Sequence, residues 1–450
     1  MDIHFIRQNA ELAKENQTKR YLDSSLIDMI LAIDKEWKQL ASSSDKLRNI
    51  KNTSSKSFKN ASKIENVIIN DTYTFDNFID DVTNNKATFS DLTQDQLKQL
   101  GNYVNKKIDT DDELCNRLLT DRDQMICSLG NILHKDVIIS NTEDDNKIIY
   151  ESENIKNKKH VNDDRKLYDH VVLGKMLGMI DTDNGIAVVG NRGYFLTGHG
   201  VKLNMALIHY ALDFLEQKQY KLMQTPHMVN KELMSKITQL SEYQETLYKL
   251  DGYDKFLIAT SEQPLTGYFN DKKLNKSELP IRFGSLSKCY RKETGRHGSN
   301  MSGIFRVHQF EKVEQFCVTE ANKSEEMFHE MIKISMEFYD SLGIDYRVVS
   351  ICSEALNNAA SIKYDLEAYF GGSKFYGELV SCTNCLDYFS KRLNTKIKGT
   401  KDYVHMLNCT LMANTRVICC LMETYQTEDG MNIPDVLQRY MNCDFIKFIS

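Results

Sequence analysis

Two stretches of period-two sequence between Phe283 and Phe316 constrain the fold most tightly. They are joined by the small, polar run Gly295-Arg296-His297-Gly298-Ser299-Asn300. The spacing predicts strands over Leu286–Glu293 and Ile304–Phe316. Side chains of a strand alternate between faces at about 3.3 Å per residue. On the second strand Arg306, His308, Phe310, Lys312 and Glu314 therefore share one face, and Phe305, Val307, Val313 and Cys317 share the other. Arg291 and Glu293 share a face of the first. The apolar face belongs against a core. The charged face has two readings. One is a solvated surface laced with ion pairs. The other is a pocket for an anionic ligand with a flat ring and an amine, which would satisfy groups too costly to bury alone.

Strand-like alternation recurs after Phe256, Tyr346, Asp365 and Tyr376, which predicts a mostly antiparallel sheet. A helix is expected over Leu203–Lys218, with Leu203, Leu207, Tyr210, Ala211, Phe214 and Leu215 on one face. Ile208 and Leu212 make it apolar nearly all round, as in a core or at a subunit interface. Thr225-Pro226 closes the strand after it, a place where proline is tolerated at a sheet edge. The last helix is expected over Leu411–Tyr425.

The first third reads as helical. Leu26, Ile30, Ile33, Trp37, Leu40, Ser44 and Leu47 form a heptad seam, and Leu97, Leu100, Val104, Ile108, Cys115, Leu118, Met125, Leu129 and Ile132 a rougher one. The polar stretch Asn52–Asp91 separates them, so an antiparallel helical hairpin is expected. Lys38, Lys46, Arg48, Lys51, Lys56 and Lys59 load the first helix with positive charge; Asp109, Asp111, Asp112, Glu113, Asp121 and Asp123 load the second with negative. Contact with a phosphate backbone would account for the first set, and pairing of the two helices for both. The expected division is a helical arm over 1–137, a charged connector over 138–165, and an α+β domain over 166–450 on a mostly antiparallel sheet flanked by helices.

Composition bounds the function. With 41% hydrophobic and 27% charged residues the chain is of globular type. A net charge of −6 argues against non-specific nucleic-acid binding by the whole chain while leaving room for a local basic surface. No apolar run is long enough to span a bilayer, so no membrane partner is expected. Met1-Asp2-Ile3-His4 lacks the features of a secretion signal, and eleven cysteines without a framework point to a reducing, cytoplasmic compartment.

Three further stretches carry chemistry. Thr260-Ser261-Glu262 offers two hydroxyls and a carboxylate to a small amine. Glu378-Leu379-Val380-Ser381 offers oxygen ligands suited to Mg²⁺. Asn408-Cys409-Thr410 leads into a helix bearing Arg416, where positive charge and free N–H groups favour an anion. Cys382-Thr383-Asn384-Cys385 is a single CxxC without a second pair, so no structural zinc is expected. His297 and His308 have no base–nucleophile role to fill.

Together these residues resemble the three signature motifs of the class II aminoacyl-tRNA synthetases, and within them the seryl-tRNA synthetase family. Pro226 after its helix and strand is similar to the first motif. Arg291-Lys292-Glu293 with Arg306, Phe310 and Glu314 matches the second, and Asn408–Arg416 the third. Met1–Asn9, Thr260–Leu265, Gly303–Phe316, Glu378–Asn384, Tyr425–Gly430 and the paired-helix arm carry the narrower likeness, which covers essentially the whole chain. The resemblance implies a serine–tRNA ligase that uses ATP with Mg²⁺, acts on the serine tRNA (and the selenocysteine tRNA where present), and works as a homodimer. Thr260, Ser261, Glu262, Glu314 and Thr410 would bind serine, and Arg291 would bridge the serine carboxylate and the α-phosphate. Arg291-Lys292-Glu293, Val307, Phe310, Glu378-Leu379-Val380-Ser381 and Arg416 would form the ATP site, with Phe310 stacked on adenine. Arg306 and Arg416 would hold the β- and γ-phosphates, Glu378 and Ser381 would ligate Mg²⁺, and Lys38, Lys46, Arg48 and Lys51 would reach the tRNA.

The chain departs from the family pattern in two places. Ser299 and Ser302 stand where the second-motif loop commonly carries basic residues, with Arg296 nearby, and Cys409 stands where glycine is common. Cysteine needs more room and restricts φ, so a tighter pocket or a shifted backbone is expected there. A function of another class, a non-catalytic RNA-binding or regulatory relative, would be favoured by loss of Arg291, Arg416 or Glu378; all three are present. A homologue serving a carrier protein is disfavoured by the arm.

Overall fold

The heptad seams fold as two long helices, α1 (Leu26–Ser57) and α2 (Gln94–Ser128). They are seen in a computed structural model that describes residues 1–58, 69–70, 72–157, 167–238, 246–293 and 303–449. Lys59, Arg296, His297, Ser299 and Ser302 lie outside the described residues. The helices run antiparallel, since Asp34 meets Arg122 at 3.0 Å and, further along α1, Arg48 meets Asp112 at 2.6 Å. In α1 the seam is buried at Ile30, Ser44 and Leu47, but Ile27 and Asp34 take the inward positions expected of Leu26 and Ile33. An ion cluster causes the shift: the Asp34 carboxylate accepts from Arg7 at 2.6 and 2.8 Å and faces Arg122 and Lys38. In α2, Leu97, Leu100, Val104, Ile108 and Leu118 are buried, whereas Leu129 and Ile132 lie beyond the helix end. Part of the expected basic stripe is paired within the hairpin: Arg48 donates from Nη2 to both carboxylate oxygens of Asp112 and Lys38 meets Asp34. Lys46, Lys51 and Lys56 are exposed and have no ion pair among the described residues.

Residues 2–14 and 23–127 form one compact unit; residue 1, residues 15–22 and residues 128–450 form the other. The second is built on an eight-stranded sheet. Its strands are β1 (Lys147–Glu151), β2 (Lys221–Gln224), β3 (Ile281–Tyr290), β4 (Gln309–Thr319), β5 (Tyr346–Ser350), β6 (Ile362–Phe370), β7 (Phe375–Asn384) and β8 (His405–Ala413), in the order β1-β5-β6-β7-β8-β4-β3-β2. Every neighbouring pair is antiparallel except β2 with β3. The stretch expected as a connector thus supplies an edge strand, β1. At the other edge, Thr225-Pro226 follows β2, where no further strand needs the missing N–H.

The β3–β4 pair is the expected hairpin with shifted ends. Arg291 still donates its N–H to the His308 carbonyl at 2.9 Å, but Glu293 turns the chain out of the ladder with φ +52°. Arg291–Glu293 and Arg306–Val307 therefore lie beyond the strands. Val313 and Cys317 join the large core containing residues of α3 (His199–Gln217), α4 (Ser324–Ser341) and α5 (Asn414–Tyr425), while Phe316 and Val318 join a second apolar cluster with Phe256, Phe269, Phe283 and Phe389. Helix α5 starts later than expected because Leu411–Ala413 complete β8.

Candidate active site

A cavity of about 430 Å³ opens where β4, β7 and β8 present polar side chains to the same space. Phe310, Lys312 and Glu314 reach it from β4, Glu378, Ser381 and Thr383 from β7, and Asn408 and Thr410 from β8. Thr260, Glu262, Arg291, Glu293, Arg306, Val307, Leu379 and Arg416 complete the expected lining. Ser261, Lys292 and Val380 do not line it. The Val380 side chain is buried in the large core, and Lys292 donates its N–H to the Thr246 carbonyl at 3.0 Å. Ser261 is fully buried and supports Glu314 from behind, through an N–H bond of 2.9 Å and a hydroxyl bond.

Two bulges shape the lining. Residues three apart on a regular strand face opposite ways, so Glu378 and Ser381 could not both look into the cavity. The ladder between β6 and β7 slips between Leu366 and Glu367, pairing Leu366 with Val380 and Glu367 with Glu378, so that Leu379 is the extra residue. The slip turns the Glu378 and Ser381 side chains to one side. A second irregularity, between Thr410 and Met412, sits directly opposite Glu314 and Val313. Cys409, expected to tighten the pocket or shift the backbone, turns its side chain away from the cavity. Its thiol lies 3.4 Å from the Ser335 hydroxyl of α4, so its bulk falls in the core.

At one end of the cavity the buried Glu314 carboxylate accepts from the Thr260 hydroxyl at 2.8 Å and pairs with the Lys312 ammonium at 2.5 Å. Burial pushes its pKa up, but the Lys312 charge and the hydrogen bonds from Lys312, Ser261 and Thr260 outweigh it, so the group titrates below the ordinary value. Glu262 accepts from Asn408 Nδ2 at 2.7 Å. In the middle, the Arg291 guanidinium lies 5.2 Å from the centre of the Phe310 ring and donates to the Ala259 carbonyl. Glu293 faces Arg192 at 3.2 Å and Arg306 at 3.4 Å.

At the other end, Arg416 donates to the Glu378 carbonyl at 2.7 Å and faces its carboxylate at 3.3 Å. Burial raises the Glu378 pKa, yet Arg416, Lys363 and Arg291 pull it down to about 2. Beside it, burial pushes Asp365 up to about 7 despite Lys363 at 3.2 Å, with the Glu378 charge adding to the rise. Asp365 stands in register with Ser381, and its Oδ1 is buried without a hydrogen-bond partner among the described residues. The donors here are hard oxygens, which suits a small divalent cation. Among the described residues no three His, Cys, Asp or Glu side chains could enclose a metal by themselves. Cys382 and Cys385 are buried in different clusters, and burial pushes both thiols well above their ordinary pKa.

Sequence reasoning left Lys363, Asp365, Thr383 and Arg192 out of the site. The first three are set by the register between β6 and β7, for which a single strand's pattern carries no signal. Lys312 was visible on the charged hairpin face but had no role.

Residues 243–425 match the profile of the tRNA synthetase class II core domain (G, H, P, S and T), and residues 1–104 that of the Seryl-tRNA synthetase N-terminal domain. A serine–tRNA ligase of Helianthus annuus is 41% identical, with 100% of both chains covered. The chain belongs to the serine–tRNA ligase family. Solved structures agree. The cytoplasmic serine–tRNA ligase of Naegleria fowleri in complex with AMP superposes with a TM-score of 0.87 at 39% identity, covering 100% of this chain and 99% of that one. The seryl-tRNA synthetase of Pyrococcus horikoshii complexed with ATP gives 0.85 at 31% identity over 100% of both chains. The two profile matches leave residues 105–242 between them, a stretch that holds most of α2, the edge strands β1 and β2, and α3.

Proposed function

We propose that this chain activates L-serine with ATP and transfers the seryl group to tRNA. The observation that carries this reading is one cavity lined by Thr260, Glu262 and Glu314 at one end, Arg291 and Phe310 in the middle, and Arg416 and Glu378 at the other. These groups suit an amine with a hydroxyl, an aromatic base beside an oxyanion, and a polyphosphate. A serine carboxylate oxygen would attack the α-phosphorus. The bond from that phosphorus to the bridging oxygen would break, and pyrophosphate would leave with the electron pair. The carboxylate is already a competent nucleophile, so positioning and charge neutralisation supply the catalysis. Arg291 is placed to contact carboxylate and α-phosphate together, as a planar guanidinium can. The terminal ribose hydroxyl of the tRNA would then attack the adenylate carbonyl and give up its proton, the bond from that carbonyl carbon to the phosphate oxygen would break, and AMP would leave with the electron pair.

Mg²⁺ would be held by Glu378 and Ser381, and it would offset phosphate charge and orient the leaving group. The low pKa of Glu378 keeps that ligand ionised at neutral pH. The arm within residues 1–137 would carry the tRNA, with Lys46 and Lys51 the exposed cations and Lys38 and Arg48 sharing their charge with Asp34 and Asp112. Residues 166–450 would carry the adenylation chemistry. Apolar side chains stand open on and before α3, notably Val188 at 71% and Val189 at 60% exposure, with Phe195, Val201 and Met205. Such a patch fits a homodimer interface. The reading places the chain in the cytoplasm, as for the Naegleria fowleri relative; no described helix is long and apolar enough to cross a membrane.

The deciding measurement is serine-dependent exchange of pyrophosphate into ATP, followed by charging of serine tRNA. Serine-dependent exchange with charging is expected. Exchange without charging would refute the ligase and leave a carrier-protein activity in its place.

A further inference from the structure

The two oxygens of the Glu314 carboxylate are held differently. Oε2 accepts from the Thr260 hydroxyl at 2.8 Å, the Ser261 N–H at 2.9 Å and the Ser261 hydroxyl, whereas Oε1 takes the Lys312 ammonium at 2.5 Å and only a longer contact of 3.1 Å from Thr260. The same ammonium donates to Thr260 Oγ1 at 3.1 Å. Lys312 therefore satisfies the two acceptors that a substrate amine or hydroxyl would use. Ser261 is fully buried and holds Glu314 partly through its backbone, and Thr260 is its chain neighbour. Lys312 alone of these donors sits at the end of a flexible four-carbon stem.

We propose that Lys312 is a substrate-displaced catalytic lysine: serine takes over its bonds to Glu314 and Thr260, and the freed ammonium turns to the join between the serine carboxylate and the α-phosphate. The inference rests on the functional reading above. Lys312 lies on β4 two residues from Phe310 and two from Glu314, which puts its root about 7 Å along the strand from each. Phe310, which would stack on adenine, and the amino-acid end of the cavity thus lie on either side of it, and the reacting carboxylate and phosphorus must meet between them. Lys312 is only 6% exposed, so an ammonium released from Glu314 needs another anion close by. The forming mixed anhydride supplies one. Positive charge would then reach the reaction centre only after serine has bound.

The competing role is a permanent brace for Glu314, and the two roles predict opposite signs. Serinol keeps the ammonium and hydroxyl groups of serine but has no carboxylate, so its binding to the full-length enzyme reads competition with Lys312 alone. For Lys312→Met, displacement predicts serinol binding at least as tight as wild type, and a kcat for pyrophosphate exchange about 10²–10³-fold lower, the loss typical of one donor to a developing charge. Lys312→Gln, which keeps a donor without charge, reads the same two quantities if the Met variant does not fold. Weaker serinol binding and a raised KM for serine, with kcat near wild type, would establish the brace and overturn the proposal. Wild-type enzyme is assayed first; absence of serine-dependent exchange there would overturn the functional reading and this inference with it.

Discussion

Arg291 shows what a single residue must do here. Its guanidinium is held in the cavity by the Ala259 carbonyl and lies over the Phe310 ring, central among the lining groups. Arg291→Ala is expected to lower kcat for serine-dependent exchange by about 10²–10³-fold. Arg291→Lys should recover little of it, because an ammonium cannot make two parallel bonds to neighbouring oxyanions. Undiminished exchange in the alanine variant would refute the assignment. Much at this scale was legible, since the alternation through Phe310, Lys312 and Glu314 does put those side chains into one cavity. Ser261 was not, because adjacent hydroxyls look alike in sequence while burial sends one to the substrate side and the other behind Glu314. Lys363 and Asp365 were hidden for another reason. Their place beside Glu378 depends on how β6 pairs with β7, a relation between strands that neither strand's pattern encodes.

Among the elements, α1 and α2 are tied by a charge buried where a heptad would place an apolar side chain. Asp34 is 2% exposed and meets Arg7, Lys38 and Arg122. Burial alone would raise its pKa, but those partners pull it from its ordinary value near 4 down to about 2. A carboxyl with a depressed folded-state pKa contributes stability that is present above its unfolded value and lost as pH falls through the folded value. Asp34→Asn should therefore destabilise the helical unit by about 3 kcal/mol at neutral pH, the cost of breaking a buried pair. The gap to wild type should close between about pH 4 and pH 2. Urea unfolding followed by helical circular dichroism at pH 7 and pH 2.5 would test this, and an equal gap at both would rule it out. The helices were readable from their period, and the ion cluster that shifts the seam was not. Bulges behave likewise. The Leu379 slip that aims Glu378 and Ser381 together appears in no spacing rule, yet without it the expected Mg²⁺ ligands would face opposite sides of the sheet.

For the whole molecule, the useful cut does not fall at the start of the long helices. Residues 15–22 belong to the same compact unit as residues 128–450. Gln17 exchanges two hydrogen bonds of 3.2 Å with Gly130, and Asn16 reaches the Asn131 carbonyl and the Leu133 N–H. Arg20 is 2% exposed and donates to the carbonyls of Asn131, Ala360, Leu356 and Asn357, with no ion pair to a carboxylate among the described residues. Burial lowers its pKa to about 10, so it stays charged at neutral pH. Asn357 and Ala359 line the cavity, so this guanidinium holds part of the wall. A side chain on Gly130 would collide with it, an added Cβ falling 2.2 Å from its Nε. Two truncations should therefore behave differently. Replacing residues 23–127 by a short Gly/Ser linker, which the contact of Gln17 with Gly130 makes easy to span, should abolish charging of tRNA and leave serine-dependent exchange near wild type. Removing residues 1–127 outright should lose both, because the carbonyls that Arg20 satisfies would each cost about 1–3 kcal/mol if left buried and unpaired. Exchange assays and melting curves on the two variants would separate the outcomes. If the first also lost exchange, the helical unit would be a structural part of the adenylation site, and its separate role in carrying tRNA would have to be abandoned.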